Sequence, residues 1–190
     1  MQTIELNGVN RVGTGKKVAK LLRQEELVPC VLYGAGEVVH FSAHVNEFRY
    51  LVYSPNVYIV NLNIDGKTVQ AILKDIQYHP VSDAILHVDF LQISMDKLTV
   101  MEIPVTLSGL AEGVKAGGKL QLEIRKLKVK ALPKDMPDTL NIDITNLGLG
   151  KGIKVGELSY DNVEILNAKN AVVVAVKLTR AARAAAQGQK

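Results

Sequence analysis

The sequence concentrates positive charge in a short stretch near its start. Between Asn7 and Gln24 there is no Asp or Glu. The positive residues of this stretch are Arg11, Lys16, Lys17, Lys20 and Arg23. Because the whole chain carries a formal net charge of only +4, the local excess stands out. Lys and Arg side chains form charge-assisted hydrogen bonds to phosphate oxygens, so the stretch predicts a phosphate-bearing partner.

The periodicity of this stretch predicts a helix at residues 16–26 with two different faces. If Thr14 caps the helix, one face is basic and consists of Lys16, Lys20 and Arg23. The opposite, apolar face consists of Val18, Leu21 and Leu22. Gly13 and Gly15 leave the first N–H groups accessible to a phosphate. Ordinary solvated charges on an amphipathic helix explain the same pattern, and the sequence alone leaves both interpretations open.

The letters GTGK at positions 13–16 resemble the end of a nucleotide-binding loop. The full spacing GxxxxGK[ST] is absent, and Lys17 stands where Ser or Thr would coordinate Mg²⁺. We therefore reject nucleotide binding by this segment.

A second polar feature lies on the strand predicted at residues 85–91. Because side chains alternate along a strand, one face carries Leu86, Val88 and Phe90. The other face carries His87 and Asp89. Such groups can bind 2′-hydroxyls and base edges in the minor groove of an RNA helix. From the strand alone, a structural His–Asp pair is the favoured interpretation.

Catalysis, metal binding and a cofactor are not expected. The candidate ligands lack the spacing of metal sites, and no GxSxG elbow occurs. These candidates are Cys30, His40, His44, His79 and His87. With one Cys no internal disulfide can form, and Cys30 is expected to be a small buried hydrophobe. Tyr33, which ends a short strand at 30–34, is by default core filler and otherwise an exposed contact.

The elements that must position these residues are mostly strands. A hairpin is predicted at 57–77, with Asp65-Gly66 as its tight turn. One face of its first strand consists of Tyr58, Val60, Leu62 and Ile64. A second short helix at 45–53 ends at Ser54-Pro55. The residues of this helix at helical spacing are Val45, Phe48, Leu51 and Val52.

The second half is predicted to be all β after a boundary at 94–97. Strands are expected at 98–107, 120–132, 139–144, 153–158 and 171–178, and the slip at Arg125-Lys126 suggests a bulge. The Gly-rich segment 108–119 is predicted as a loop in which Ala116-Gly117-Gly118 turns the chain. The tail at 179–190 is basic and Ala-rich, and is expected to be flexible unless a partner orders it.

Composition bounds the remaining possibilities. The 190 residues, of which 47% are apolar, favour two small domains. No signal peptide and no apolar run of about 18 residues is present, so a soluble cytoplasmic protein without membrane contact is expected. Aromatic residues make up 5% with no Trp, which disfavours a platform for stacking single strands.

Together these motifs resemble a known family, the bacterial 5S rRNA-binding proteins of the large ribosomal subunit, in their long two-domain form (the general stress protein Ctc family). The first half carries the resemblance in Arg11, in GTGKKVAKLLRQEELVPCVLYG, in QYHP at 77–80 and in HVDF at 87–90. The second half carries it in GLAEGVKAGGKL and in the step from Pro133 to Pro137.

The resemblance implies a mainly β fold: a Greek-key-like barrel with two short helices, similar to the anticodon-binding barrel of class I tRNA synthetases, followed by a second all-β domain. It implies an rRNA-binding domain at 1–93, which holds the minor groove of 5S rRNA near loop E, and a β-rich domain at 98–178. The implied RNA contacts are Arg11, Lys16, Lys20, Arg23, Tyr33, His87 and Asp89, with Lys17 and Gln77 as secondary candidates.

The implied role is structural: the protein anchors 5S rRNA in the large subunit on the cytoplasmic ribosome. The second domain has 23S rRNA and neighbouring ribosomal proteins as candidate partners. A stress or maturation factor that binds rRNA transiently is the alternative, and an enzyme with a phosphate-bearing substrate is the weakest one.

Three residues depart from the family pattern. Leu21 stands where a further basic residue is usual, and Glu37 follows the Gly34 turn where a basic residue is frequent. Glu26 replaces a common Gly at the end of the helix. We therefore expect this helix to end differently, with a slight shift of the segment 29–33.

Overall fold

The computed structural model describes residues 2–34, 36–94 and 96–179. Two compact units are present, one formed by residues up to 99 with 132–134, the other by 100–131 with the residues from 135 onward. Both consist mainly of strands, which confirms the predicted fold class. The domain boundary at 94–97 stays a prediction, since Met95 lies outside the described residues.

The first unit is built on a closed barrel of six strands in the order β1-β3-β2-β6-β5-β4. These strands are β1 (Gln2–Asn10), β2 (Leu27–Tyr33), β3 (Val39–His44), β4 (Tyr58–Ile64), β5 (Lys67–Tyr78) and β6 (Ile85–Gln92). The pairs β1–β4 and β2–β6 are parallel, and the other neighbours are antiparallel. Closure leaves no free sheet edge for another chain to pair with.

Alternating residues of the strands fill the barrel. Phe90 lies at the centre, with its ring centroid 5.8 Å from that of Phe41 and 6.5 Å from that of Phe48. The hairpin prediction is confirmed, because Val60, Leu62 and Ile64 belong to this core and Tyr58 packs against it. Asp65 and Gly66 have φ angles of 47° and 85°, as a type I′ turn requires.

Two helical segments accompany the barrel. Helix α1 spans Lys16–Gln24 and contacts β2. The segment predicted as one helix at 45–53 forms a 3₁₀ turn, Val45–Phe48, followed by α2, Arg49–Tyr53. Phe48 and Leu51 of this segment are buried in the barrel core, and the backbone becomes extended at Ser54 as predicted.

The second unit contains two sheets, with strand orders β10-β7-β9-β12 and β11-β13-β8. The strands are β7 (Thr99–Ser108), β8 (Lys119–Leu122), β9 (Lys126–Ala131), β10 (Leu140–Asp143), β11 (Gly152–Lys154), β12 (Glu164–Ile165) and β13 (Val172–Lys177). The short helical pieces are α3 (Glu112–Lys115) and a 3₁₀ turn, Val155–Glu157. The predicted strands at 98–107, 139–144 and 171–178 are confirmed.

The single strand predicted at 120–132 is wrong. The chain leaves the sheet of β8 at 123–125 and enters the other sheet as β9, so the alternation slips because the partner strands change. Just after the end of β8, Glu123 and Ile124 both donate their N–H groups to the carbonyl of Val173. The slip predicted as a bulge at Arg125-Lys126 coincides with this change of sheet, and the two donors to one carbonyl that are typical of a bulge lie two residues earlier.

Smaller differences concern the loops. The segment 108–119 contains the one-turn helix α3, in which the N–H of Lys115 donates to the carbonyl of Ala111. The strand predicted at 153–158 is only β11, because the chain turns into a 3₁₀ helix at Val155. The two-residue strand β12 was not predicted. The predicted tail beyond Thr179 lies outside the described residues.

None of the helices within residues 2–34, 36–94 and 96–179 has the length and hydropathy of a membrane-spanning segment.

Candidate nucleic-acid interface

The N-terminus of α1 starts at a glycine. Gly15 is the N-cap residue with a φ of 111°, and no side chain accepts a hydrogen bond from the first turn. The predicted cap by Thr14 is therefore wrong, since that residue lies one position too early. The N–H groups of the first turn have no side-chain cap, and residues 14–17 around the start of the helix are exposed.

The faces of α1 agree with the prediction except at one position. Val18, Ala19 and Leu22 are half-buried on the side of β2, and the exposed side carries Lys16, Lys17 and Lys20. Leu21 was expected on the docking face but is 59% exposed. It follows Lys17 by one helical turn and so shares the outward side with that lysine.

The lysines of α1 remain available for an external partner. In the part of the chain that the structure describes, no ion pair within 4.0 Å involves Lys16, Lys17 or Lys20. The absence of acids between Asn7 and Gln24 explains why no neighbour along the helix neutralises them. A phosphate backbone passing over α1 would meet uncompensated charge.

Arg23 is engaged differently from the lysines. Its Nε and Nη2 atoms both donate to the carbonyl oxygen of Leu86, at 3.1 and 2.9 Å. Arg23 is exposed, as the basic face was expected to be, but two of its five N–H donors are used within the protein. The contact ties the last turn of α1 to β6, one residue before His87.

The polar face predicted on β6 is present. His87 Nδ1 lies 2.8 Å from Asp89 Oδ1, and the two side chains are 25% and 30% exposed. Opposite them on β5 lie Gln77, paired with His87, and Asp75, paired with Asp89. His87 and Asp89 thus form the expected structural pair and, at the same time, the expected outward polar face.

The inward face of β6 differs slightly from the prediction. Val88 and Phe90 are fully buried, but Leu86 is only half-buried. The buried residue at the start of this strand is Ile85. An irregular register between Gln77 and Tyr78 on β5 shifts the alternation at this end of the strand.

Tyr33 ends β2 beside β6 and is half-buried outside the barrel core. Burial, followed by the carboxylates of Asp89 and Asp75, raises the pKa of its phenol. Tyr33 therefore stays a neutral hydroxyl that can donate a hydrogen bond at neutral pH. The default interpretation as core filler is wrong.

Arg11 follows the last residue of β1 and is half-buried. Its backbone N–H donates to the carbonyl of His40 at 2.9 Å, whereas its buried Nε has no hydrogen-bond partner among the described residues. Its positive charge acts on Cys30, whose thiol pKa is nevertheless raised because the side chain is buried. Cys30 is the buried hydrophobe that the sequence predicted.

The sequence reasoning missed two residues on this outer surface. Asp75 alternates with Gln77 on β5, and the exposed His40 of β3 pairs with Val31 of the neighbouring strand β2. Val31 is in turn paired with Asp89. Period-two alternation on β3 and β5 is the signal that identifies both, but it requires knowing which strands are neighbours.

The end of α1 keeps the backbone conformation that a glycine would adopt. Glu26 has a φ of 59°, so the expected change at this helix end is wrong. Its carbonyl accepts the N–H of Val45 at 2.9 Å, and its Oε2 lies 3.5 Å from Nε2 of His44. These contacts hold Glu26 in the left-handed region. Glu37 is exposed.

A metal centre does not form from the described residues, among which no group of three or more His, Cys, Asp or Glu side chains converges. The outer face of α1, β2, β5 and β6 instead combines free cations with hydrogen-bonding groups. We call it the barrel outer face; its candidate residues are Lys16, Lys17, Lys20, Arg23, Tyr33, Gln77, His87 and Asp89, while the candidate Arg11 follows β1 beside β3.

Comparison with known proteins agrees with this architecture. Residues 6–90 match the family model of the Ribosomal L25p family, and residues 98–180 match that of the Ribosomal protein TL5, C-terminal domain. The chain is 60% identical to a protein of Phocaeicola vulgatus over 98% of both chains. It is 58% identical to one of Bacteroides thetaiotaomicron, covering 98% of this chain and 97% of the relative.

A protein of Porphyromonas gingivalis is 55% identical over 98% of each chain. All three relatives are named large ribosomal subunit protein bL25. The similarity extends over both units, so the second unit is a shared part of these proteins. The chain belongs to the ribosomal L25p family, in the long form that also has a TL5-type C-terminal domain.

Proposed function

We propose that this protein is a structural component of the large ribosomal subunit that binds 5S rRNA through the barrel outer face. The family consists of ribosomal proteins and not of enzymes. The observation that carries the proposal is the contact of Arg23 with the carbonyl of Leu86. It holds the basic helix beside the polar residues of β6, so that both meet one ligand.

The two parts of this face have different tasks. The free lysines of α1 contact phosphates, which position the RNA but carry no sequence information. His87 and Asp89 contact the minor groove near loop E, where 2′-hydroxyls and base edges are accessible. The carboxylate of Asp89 can accept from a 2′-hydroxyl or a guanine amino group, which gives an acid a role on an RNA-binding surface.

Tyr33, Gln77 and Arg11 extend the same contact. The neutral hydroxyl of Tyr33 and the exposed amide of Gln77 offer donors next to the His87–Asp89 pair. The buried Nε of Arg11 lacks a partner in the described structure, and an unsatisfied donor of this kind is costly. An RNA oxygen at Arg11 would satisfy it.

We assign RNA binding to residues 1–93. Residues 98–178 form the second domain, with 23S rRNA or neighbouring ribosomal proteins as partners. The protein then works on the cytoplasmic ribosome. Its relatives' shared name, large ribosomal subunit protein bL25, supports association with the large subunit.

The test is a titration of the full chain with 5S rRNA across a salt series. Replacing Lys20 by Ala should reduce the log–log salt slope by about 0.7–0.9, since one phosphate contact is lost. Replacing His87 by Ala should weaken binding with nearly the same slope as wild type, because no phosphate contact is removed.

Two results would contradict the proposal. One is an affinity for 5S rRNA that does not depend on salt, and the other is a His87 variant that binds as tightly as wild type. Stoichiometric presence of the protein in salt-washed large subunits distinguishes a structural component from a transient stress or maturation factor. Substoichiometric recovery would favour the transient factor.

A further inference from the structure

A groove in the second unit lies along the free edge of a sheet. It has a volume of about 350 Å³, and all residues that line it belong to this unit. One wall is β10, with Asn141 and Asp143, and the other includes Glu157, Leu158 and Tyr160. The groove is far from the barrel outer face in sequence and has no part in the proposed RNA contact.

The backbone of β10 offers hydrogen-bonding groups to this groove. Among the strands that the structure describes, β10 pairs only with β7, in parallel, so its other edge has no strand partner there. Because the N–H of Ile144 donates to Ser108 of β7, the alternation of a parallel ladder turns the N–H and C=O groups of Asn141 and Asp143 away from β7. Tyr160 already donates its hydroxyl to the carbonyl of Asn141, at 3.0 Å.

The charge of the groove favours a basic occupant. Asp143 and Glu157 are exposed, and neither belongs to an ion pair between residues that the structure describes. Hydrogen bonds from Thr145 lower the pKa of Asp143, so its carboxylate remains charged at neutral pH. The half-buried side chains of Ile153 and Leu158 add apolar surface between these charges. An RNA backbone would be repelled here.

We propose that this groove binds an extended basic segment of another protein as an added strand on β10. Main-chain hydrogen bonds to the N–H groups of Asn141 and Asp143 and to the carbonyl of Asp143 would supply affinity, and alternate side chains would supply specificity. Lysine or arginine side chains of the segment would meet Asp143 and Glu157, and the apolar side chains between them would meet Ile153 and Leu158. The proposal does not depend on how 5S rRNA is bound.

The test uses the isotope-labelled full chain and two capped six-residue probes, one alternating Lys with Val and the other alternating Glu with Val. The Lys probe should shift the amide signals of Asn141 and Asp143 and slow their exchange with solvent, since these N–H groups become hydrogen-bonded. The Glu probe should cause no such change. The double variant Asp143→Asn, Glu157→Gln should bind the Lys probe about tenfold more weakly, as expected for two exposed charge pairs.

A matched control separates this site from general attraction of a cationic peptide. The double variant Glu25→Gln, Asp83→Asn changes the charge equally at exposed positions of the first unit, and should bind the Lys probe like wild type. Equal losses in both double variants would overturn the proposal. The proposal would also be overturned if 5S rRNA caused the same shifts of the Asn141 and Asp143 amide signals. The same holds if these shifts appeared without any probe when the protein concentration is raised until sedimentation shows a dimer.

Discussion

At the scale of single residues, Arg23 changes how the basic helix is understood. A helical wheel places its side chain on the basic face but does not show which carbonyl lies within its reach. In the folded chain Leu86 accepts two of its N–H groups. Arg23 therefore positions α1 against β6, and under the proposed function its remaining donors are available to RNA, whereas Lys16 and Lys20 make no such contact within the described residues.

Leu21 offers a direct test of the phosphate-binding helix. Because its side chain is 59% exposed beside Lys17, replacing it by Lys should leave the fold intact and add a cation to the outward side. We expect tighter binding of 5S rRNA and a log–log salt slope steeper by about 0.7–0.9. A Leu21→Gln variant controls for the loss of the apolar side chain. An unchanged slope in Leu21→Lys would show that RNA does not pass over this part of α1.

At the scale of elements, the joint between α1 and β2 contains local strain. A residue other than glycine at the φ of Glu26 is disfavoured by about 1 kcal/mol. Replacing Glu26 by Gly should raise the free energy of unfolding of the barrel by about 0.5 kcal/mol. This gain is smaller than the strain that is relieved, because glycine loses more backbone entropy on folding. Urea denaturation followed by amide signals of the barrel strands measures this change.

Glu26→Ala is the matched control for that comparison. It removes the contact with His44 but keeps a side chain in the left-handed conformation, so it should be less stable than Glu26→Gly. If the Ala variant were as stable as the Gly variant, the backbone would not be the source of the difference.

Several elements could be predicted because local patterns determine them. The hairpin around Asp65-Gly66 combines strict alternation with a preferred turn dipeptide, and the 45–53 segment combines helical spacing with Ser54-Pro55. The division of 119–131 between two sheets could not be predicted, since both strands show the same alternation. The two strands differ only in their partners: β8 pairs with β13, and β9 lies between β7 and β12.

In the candidate site, too, the residues that local patterns determine could be predicted, and those that depend on strand pairing could not. His87 and Asp89 alternate on one strand and were therefore identified together, whereas Asp75 and His40 join them only through barrel closure. Charge counting identified the lysines of α1 for a local reason, the absence of neighbouring acids. The position of the helix on the barrel depends on tertiary contacts, which periodicity does not contain.

At the scale of the whole molecule, glycines in the second unit allow segments to approach closely. A Cβ on Gly113 would lie 2.7 Å from the backbone carbon of Gly148 and from the nitrogen of Leu149. Backbone atoms cannot move aside easily, so Gly113→Ala should lower the free energy of unfolding of this unit by about 1–3 kcal/mol. Thermal unfolding followed by amide signals of β13 measures the effect.

Gly148→Ala is the control on the other side of this contact. Its Cβ would meet only the side chain of Lys151, at 3.7 Å, an ordinary van der Waals distance. A change of less than about 0.5 kcal/mol is expected, as for most substitutions without a clash. Equal destabilisation by both variants would contradict the close-approach explanation.

The central claim is that the barrel outer face holds the minor groove of 5S rRNA near loop E. Hydroxyl-radical footprinting of 5S rRNA with the full chain tests it most directly, because the radicals attack riboses along that groove. We expect protection confined to the loop E region with wild type. In a His87→Ala, Asp89→Ala variant at equal occupancy, protection of the riboses that line the minor groove should be lost, while riboses next to the phosphates contacted by α1 should remain protected. Protection in another region, or an unchanged footprint in the variant, would contradict the claim.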